Sequence, residues 1–187
     1  MIEGTCDNRF RKVKNIFSHA LKSGFETGAA LAIEYNGSKF SGWQKQASPD
    51  LLTVQSVVES AISQIVDSKI TSTCAGRTDA GVHATCQVIH FDSPIDRGEK
   101  AWTRGVNSLL PDSIRVIWSK SVGSDFHARF SAKKRHYNYR LRTNSYILDH
   151  YFTHQSGPLD INLLNEASRL VAGEHDFTSF SNCLLYT

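Results

Sequence analysis

The stretch Val54-Gln-Ser-Val-Val-Glu-Ser-Ala-Ile-Ser-Gln-Ile-Val66 decides the fold of this chain. Its apolar side chains recur at intervals of three and four residues, so that a helix places all of them on one face. They are Val54, Val57, Val58, Ala61, Ile62, Ile65 and Val66. An amphipathic helix must bury its apolar face against another element, and the pattern therefore predicts a helix packed on a neighbouring layer.

Strand-like segments lie on both sides of this helix, each rich in apolar residues or alternating between apolar and polar ones. They are residues 29–35, 69–76, 85–92, 113–122 and 135–142. A second helix is predicted at 99–110, and a third at 160–172 ends at Gly173, a typical C-cap residue. The order β-α-β-β-α-β-β predicts an α+β fold, a mainly antiparallel sheet with two helices on one face. The other face of the sheet is then open for a ligand such as RNA.

Three regions are predicted along the chain. Residues 1–26 lack clean periodicity and are expected to form a loose N-terminal extension, with a short helix near 13–22. Residues 27–145 are expected to form the N-terminal α+β domain. Residues 146–187 are expected to begin a second α+β domain.

Composition narrows the class of protein. The chain has 187 residues, 40% of them hydrophobic, without an apolar run long enough for a membrane span or a signal peptide, so we expect a cytoplasmic protein. Its four cysteines form no C-x-x-C pair, which indicates free thiols in a reducing compartment. The grouping of Cys86 with His83 and His90 matches no standard zinc spacing, and we predict no metal site.

Positive charge is concentrated in residues 97–142, which hold eleven Lys/Arg against three Asp/Glu. Within 129–142, six residues are basic and none is acidic. Such a cluster is typical of a surface that binds phosphate backbones. The alternative is an edge strand whose lysines face solvent and prevent strand pairing with other chains.

The segment Gly76-Arg-Thr-Asp-Ala-Gly-Val-His83 lies between two predicted strands. Gly76 and Gly81 suit a tight or left-handed backbone, and Asp79 can bond nearby N–H groups in a turn. By itself the segment is compatible with an ordinary turn. An arginine and an aspartate two residues apart are also compatible with a site in which a positive charge keeps a carboxylate ionised.

Four motifs, in order along the chain, resemble the TruA-type tRNA pseudouridine synthases. They are Tyr35-Asn-Gly-Ser-Lys-Phe-Ser-Gly-Trp-Gln-Lys-Gln46, Gly76-Arg-Thr-Asp-Ala-Gly-Val-His83, Val106-Asn-Ser-Leu-Leu-Pro111 and Asp125-Phe-His-Ala-Arg-Phe-Ser-Ala132. The resemblance runs over about residues 30–180. It implies that the α+β domain is the ferredoxin-like or RRM-like half of a pseudouridine synthase fold.

The resemblance also implies roles for particular residues. Asp79 corresponds to the essential catalytic carboxylate, Tyr137 to the tyrosine that packs against the target base, and Arg77 to a residue that fills the gap left by the flipped base. The family isomerises uridines 38, 39 and 40 of the tRNA anticodon arm, as a homodimer and without cofactor or metal. We further assign substrate binding to basic residues of the chain, namely His83, Arg129, Lys133, Lys134 and Arg135.

Pseudouridylation explains why such residues suit the site. The N1–C1′ glycosidic bond breaks, the uracil turns, and C5 joins C1′, so that the base must first leave its stack. The carboxylate of Asp79 either attacks C1′ or takes a proton from the sugar, and the sequence leaves both routes open. Tyr137 offers an aromatic face for stacking and a hydroxyl near exchangeable protons, although it is also compatible with a core position.

Family members continue beyond the region 173–180 into a second, similar half. We therefore expect a C-terminally truncated synthase. The alternative is an RNA-binding remnant with weak or absent catalysis, because a cleft with one wall positions uracil poorly. A hydrolase that uses Asp79 is disfavoured, since no partner acid, triad or metal set accompanies this residue.

Overall fold

The computed structural model describes residues 28–48, 50–143 and 150–180. These residues divide into two compact units, the first ending at His136 and the second beginning at Tyr137. The extension predicted for 1–26, with its helix near 13–22, lies outside the described residues. The domain boundaries given above for 27–145 and 146–187 stay a prediction.

The first unit is an antiparallel sheet with helices. Its elements are β1 (Gly28–Tyr35), a 3₁₀ turn (Gly37–Lys39), α1 (Val54–Val66), β2 (Thr73–Cys74), β3 (Ala84–Asp92), α2 (Gly98–Lys100), a π-helical turn (Ala101–Gly105), α3 (Val106–Leu109) and β4 (Ile114–Val122). The strand order is β2-β3-β1-β4, and each neighbouring pair is antiparallel. The predicted α+β class with a mainly antiparallel sheet is confirmed.

Helix α1 has the bounds that its apolar period predicts, because its ends are set by local hydrogen bonds. The side chain of Thr53 accepts from the backbone N–H of Ser56, and the Ser56 hydroxyl accepts in return from the Thr53 N–H. This capping box satisfies donors that the first turn leaves unpaired. At the other end Asp67 adopts a left-handed backbone, with φ 51°, and its N–H bonds to the Ser63 carbonyl.

One core joins both helical segments to one face of the sheet. Val58 and Ile62 of α1 lie in the same buried cluster as Leu31 of β1, together with Trp102 and Val106 of the second helical segment. This arrangement confirms that two helices cover one face. The exposed Leu109 departs from the expected apolar side of the second segment. That segment contains a π-helical turn, which changes the angular position of the residues that follow it.

The opposite face of the sheet carries small residues at its centre. Ala30 of β1 is fully buried and pairs with His90 of β3. The His90 ring accepts a hydrogen bond from the backbone N–H of Ala128 (3.1 Å to Nδ1) and lies edge-on to Phe126 (5.8 Å between centroids). The segment that follows β4 therefore covers part of the face that we expected to be open.

The second unit contains β5 (Leu141–Arg142), β6 (His154–Gln155) and α4 (Ile161–Val171). The two short strands pair in parallel, and the side chain of Asp160 caps the first turn of α4. Gly173 has φ +104°, as expected of the residue that ends this helix. None of the helices in the described ranges is long and apolar enough to cross a bilayer.

The prediction of a strand at residues 135–142 is wrong for most of these residues. Only Leu141–Arg142 is strand, and residues 132–140 have no regular secondary structure. Alternation of polar and apolar residues is compatible with any extended backbone, whereas a strand also requires a hydrogen-bonded neighbour. The edge-strand alternative for the basic residues 133–135 is excluded for the same reason.

Candidate active site

The segment 76–83, called the aspartate loop below, connects β2 to β3 and is held by the sheet at its first residue. The amide of Gln87, a buried side chain of β3, accepts from the Gly76 N–H (3.3 Å) and donates to the Gly76 carbonyl. Directly before the loop, the Ala75 N–H donates to the Val88 carbonyl (2.8 Å). The loop therefore leaves the sheet in a direction fixed by hydrogen bonds.

Thr78, the residue before Asp79, is held on two sides, by the last residue of β1 and by the segment that follows this strand. The Tyr35 hydroxyl and the Thr78 hydroxyl lie 2.8 Å apart, within hydrogen-bond distance. The Thr78 carbonyl accepts from the backbone N–H of Trp43 (2.9 Å). Trp43 is itself buried and lies 6.0 Å from the Tyr35 ring, so these contacts tie Thr78 to the core.

The other end of the aspartate loop is held by residues 36–43, called the packing loop below. The Gly37 N–H donates to Nδ1 of His83 (3.2 Å), and the Gly81 N–H donates to the Phe40 carbonyl (3.2 Å). We assigned His83 to substrate binding from the sequence. In the structure one of its ring nitrogens accepts a backbone hydrogen bond, which fixes the orientation of the ring.

Two glycines allow the packing loop to lie directly against the aspartate loop. A Cβ on Gly37 would lie 2.0 Å from the Val82 carbonyl oxygen, and a Cβ on Gly42 would lie 2.8 Å from the Thr78 carbonyl oxygen. Gly42 also has φ +89°, in the region that favours glycine. The motif at residues 35–46 is thus explained in part as the surface on which the aspartate loop rests.

A buried acid supports the strand that leads into the loop. Glu59 of α1, only 6% exposed, accepts from the Ser72 N–H (2.7 Å), the Ser72 hydroxyl (3.0 Å) and the Gln55 amide (2.9 Å). Gln55 in turn accepts from the Lys45 N–H (2.9 Å) and donates to the Ser72 carbonyl (3.0 Å). A buried carboxylate with three donors is well compensated, and it links α1, β2 and the residues after the packing loop.

Asp79 lies exposed at the tip of this rigidly held loop. Its carbonyl accepts from the Val82 N–H (3.2 Å), which closes a tight turn, while its carboxylate faces solvent. Arg77 is exposed as well, and within the described part of the chain it forms no ion pair with Asp79. Thr78 lies between them in the sequence and is held by its hydrogen bonds to Tyr35 and Trp43.

Tyr137 is the first residue of the second unit and is 71% exposed. A core position for this side chain, which the sequence left open, is excluded by that exposure. Its aromatic ring is available to a ligand.

The basic residues 129–135, called the basic segment below, divide into two kinds. Lys133 and Lys134 are exposed, without a hydrogen bond to any described residue. Arg135 instead donates from Nε (2.9 Å) and Nη2 (2.6 Å) to the Ala75 carbonyl, and from Nη2 to the Arg129 carbonyl (3.1 Å). The assignment of these residues to substrate binding stays a prediction.

An exposed aromatic stack lies at the start of the basic segment. The rings of His127 and Phe130 are stacked at 4.3 Å between centroids, Phe130 is 78% exposed, and the Arg129 guanidinium lies 6.0 Å from its centroid. His90 lies beneath, 4.8 Å from His127. Burial, and secondly the charge of His127, lower the pKa of His90, so its neutral form is favoured.

No group of three or more His, Cys, Asp or Glu side chains among residues 28–48, 50–143 and 150–180 is placed to hold an ion. Cys74, at the end of β2, is a buried thiol, and its burial raises its pKa.

The sequence profile of the tRNA pseudouridine synthase family matches residues 31–131, more than half of the 187-residue chain. The chain belongs to this family. The match includes most of β1, both helical segments, the other three strands of the sheet and the aspartate loop. It extends as far as Phe130 and Ser131 in the basic segment.

Close relatives carry the name tRNA pseudouridine synthase A. The protein of Idiomarina loihiensis is 47% identical over 163 residues, which are 84% of this chain and 62% of that protein. The protein of Shewanella woodyi is 52% identical over 158 residues, 81% of this chain and 58% of that protein. That of Pectobacterium atrosepticum is 49% identical over 154 residues, 81% and 54% respectively. The chain therefore spans somewhat more than half the length of these relatives.

Several supporting residues have no signal in the local sequence pattern. Gln87, Glu59 and Arg135 each act on residues at least eleven positions away, through bonds to backbone groups. Asn107 is different, since it lies in a quoted motif. Its side-chain amide donates to the Val116 carbonyl (2.9 Å) and accepts from the Val116 N–H (2.7 Å), which joins α3 to the outer strand β4.

Proposed function

We propose that the protein isomerises uridine to pseudouridine in the anticodon stem-loop of tRNA, at positions 38, 39 and 40, with Asp79 as the catalytic carboxylate. One observation carries the proposal. Asp79 is an exposed carboxylate on a loop whose backbone is held by the sheet at one end and by the packing loop at the other. Family membership and the names of the relatives favour tRNA as the substrate.

Rigidity of the loop matters because the reaction is an isomerisation within one nucleotide. The N1–C1′ bond breaks, the uracil rotates while it stays in the site, and C5 bonds to C1′ as the C5 proton leaves. No atom is gained or lost overall, since N1 acquires a proton. The carboxylate of Asp79 serves either as nucleophile at C1′ or as base toward the sugar, and both routes require it ionised and well placed.

Arg77 and Tyr137 are assigned further roles in the proposed reaction. Arg77 stabilises negative charge at the carboxylate and fills the space left in the stem when the uridine flips out. Tyr137 stacks on the extruded uracil. Both side chains are exposed and so accessible to RNA.

Contact with the rest of the tRNA is assigned to the basic segment. Lys133 and Lys134 are free to neutralise phosphates. The exposed Phe130 ring, stacked on His127 and next to Arg129, provides a platform on which an unpaired base can stack. His83 and Arg129 remain assigned to substrate binding.

The proposal also covers the fold, the oligomeric state and the cofactor requirement of the protein. We propose that the first unit is the ferredoxin-like half of a pseudouridine synthase fold, that the protein acts as a homodimer, and that it needs neither cofactor nor metal. The strand order β2-β3-β1-β4 with helices on one face supports the first of these.

Release of tritium from C5 of uridine in tRNA tests the function directly, because each turnover displaces that hydrogen. We expect the protein to release label from the anticodon arm without added metal or nucleotide. Asp79→Asn keeps the shape of the side chain but removes its charge, and should reduce release to background with little change in tRNA affinity. Asp112→Asn, at another exposed aspartate, is the matched control and should behave as the parent.

The possible outcomes separate cleanly. Release by Asp79→Asn within about tenfold of the parent would remove Asp79 from the mechanism. Binding of tRNA by the parent with no release above background would refute the synthase activity of this chain. Release in both the parent and Asp112→Asn, and loss in Asp79→Asn alone, supports the proposal.

A further inference from the structure

Arg135 differs from its basic neighbours in what its side chain contacts. Two nitrogens of its guanidinium, Nε and Nη2, point at one acceptor, the carbonyl of Ala75, at 2.9 and 2.6 Å. Nη2 also donates to the carbonyl of Arg129 at 3.1 Å. Three hydrogen-bond contacts to backbone leave the two N–H groups of Nη1 for other partners.

The position of Ala75 gives these bonds their significance. Ala75 follows β2, which ends at Cys74, and precedes Gly76, the first residue of the aspartate loop. Its N–H is bonded to the Val88 carbonyl of β3, so Ala75 is held by the sheet through its nitrogen and by Arg135 through its oxygen. The guanidinium therefore restrains the peptide unit from which the aspartate loop begins.

The same side chain joins two parts of the proposed site. Through Arg129 and its own backbone, Arg135 belongs to the basic segment, and through Ala75 it contacts the start of the aspartate loop. We propose that Arg135 is a positioning residue that links the basic segment to the aspartate loop and thereby sets the place of Asp79, and that phosphate binding falls to Lys133 and Lys134. This inference rests on the proposed function.

A charge-conserving substitution distinguishes positioning from phosphate binding. Lysine is a good phosphate ligand as a point charge, but it lacks the planar fork with which arginine reaches one carbonyl through two nitrogens. If Arg135 contacted a phosphate, Arg135→Lys would retain most of the tRNA affinity that this arginine provides. If Arg135 positions the aspartate loop, Arg135→Lys loses the two-nitrogen contact with the Ala75 carbonyl, although the positive charge is kept.

We expect opposite results for Arg135→Lys and for Lys134→Ala, and parental behaviour from Arg169→Lys, the matched charge-conserving control. At saturating tRNA, Arg135→Lys should lower the single-turnover rate of tritium release about tenfold or more, since small displacements of reacting groups are costly. Its Kd for tRNA and the salt dependence of that Kd should equal those of the parent. Lys134→Ala should weaken tRNA binding and reduce the slope of the salt dependence by the amount that one lost phosphate contact contributes. Arg169→Lys, at an exposed arginine outside the proposed site, should match the parent in saturated rate, Kd and salt dependence.

Amide hydrogen exchange supplies a readout that does not require turnover. Arg135→Lys should accelerate exchange several-fold at Ala75 and Gly76, while exchange within α1 stays at the parental rate. Lys134→Ala should change neither. If the parent shows no release at all, the proposed function fails, and the exchange and salt measurements still decide the role of Arg135.

The inference is overturned if Arg135→Lys matches the parent in both rate and exchange, or if Arg135→Lys alters tRNA affinity with the saturated rate unchanged. Faster exchange spread through α1 would indicate a general loss of stability and would also overturn it. Slower release with parental affinity, parental exchange in α1 and faster exchange at Gly76 supports it.

Discussion

Substitution of Gly42 by alanine tests whether the packing loop determines the position of Asp79. The new Cβ would lie 2.8 Å from the Thr78 carbonyl oxygen, 3.2 Å from the Asp79 carbonyl carbon and 3.3 Å from the Ala80 nitrogen. All three atoms are backbone, which cannot rotate aside as a flexible side chain can. The aspartate loop must therefore move, or the packing loop must.

The cost of this substitution has two parts. Gly42 has φ +89°, and a left-handed backbone costs an L-residue about 1–2 kcal/mol. Forcing an extra carbon into a packed contact adds about 1–3 kcal/mol. We therefore expect Gly42→Ala to lower the free energy of unfolding by roughly 2–5 kcal/mol.

Two other glycines provide controls for the backbone part alone. Gly81 in the aspartate loop has φ +78° and Gly98 has φ +74°, and neither would place a Cβ within 4 Å of another residue. Gly81→Ala and Gly98→Ala should each cost only the conformational part, about 1–2 kcal/mol. The difference between Gly42→Ala and Gly81→Ala then measures the contact between the two loops.

Urea unfolding followed by tryptophan fluorescence measures these free energies, because Trp43 and Trp102 are both buried in the first unit. Tritium release measures the consequence for the site. Gly42→Ala should slow the saturated rate by up to about a hundredfold if Asp79 moves by about 1 Å, whereas Gly98→Ala should not slow it. A Gly42→Ala protein within about 0.5 kcal/mol of Gly81→Ala, with a parental rate, would refute the role given to the packing loop.

Two further predictions concern the segment that follows β4. Phe130→Leu keeps an apolar side chain but removes the stacking face, so tRNA should bind more weakly by about 1–3 kcal/mol with an unchanged salt slope; equal affinity would exclude a stacked base. The pKa of His90 is lowered from its ordinary value of 6.5 by burial and by His127, so the folded state resists protonation more than the unfolded state does. Its contribution to stability is therefore complete above about pH 6.5 and decreases as the pH falls below that value toward the folded-state pKa. Urea unfolding between neutral and acidic pH should show this loss in the parent and a smaller loss in His90→Gln.

The elements predicted well from the sequence are those in which a local pattern and the tertiary structure agree. Helix α1 shows this, because its apolar period, its Thr53 cap and its buried face are all set by neighbouring residues. The strand predicted at 135–142 shows the opposite. The residues do alternate, but strand pairing depends on a neighbour that the alternation does not specify, and residues 132–140 belong to no strand.

The aspartate loop was located from its residues, but its support was not. Tyr35 meets Thr78 across 43 positions, and Gly37 meets His83 across 46. No periodicity or spacing rule reaches so far along a chain. The sequence does contain both motifs, at 35–46 and 76–83. The structure explains why they occur together, because the loops that they form pack against each other.

A similar limit applies to charge. The sequence groups Lys133, Lys134 and Arg135 as one basic cluster, because composition counts charges without their partners. In the structure all three residues are exposed, but the guanidinium of Arg135 is bonded to the carbonyls of Ala75 and Arg129, while neither lysine is hydrogen bonded to a described residue. This difference in contacts is the basis on which we propose phosphate binding at Lys133 and Lys134 and alignment at Arg135. Geometry distinguishes the two, because only a planar fork meets one carbonyl with two nitrogens.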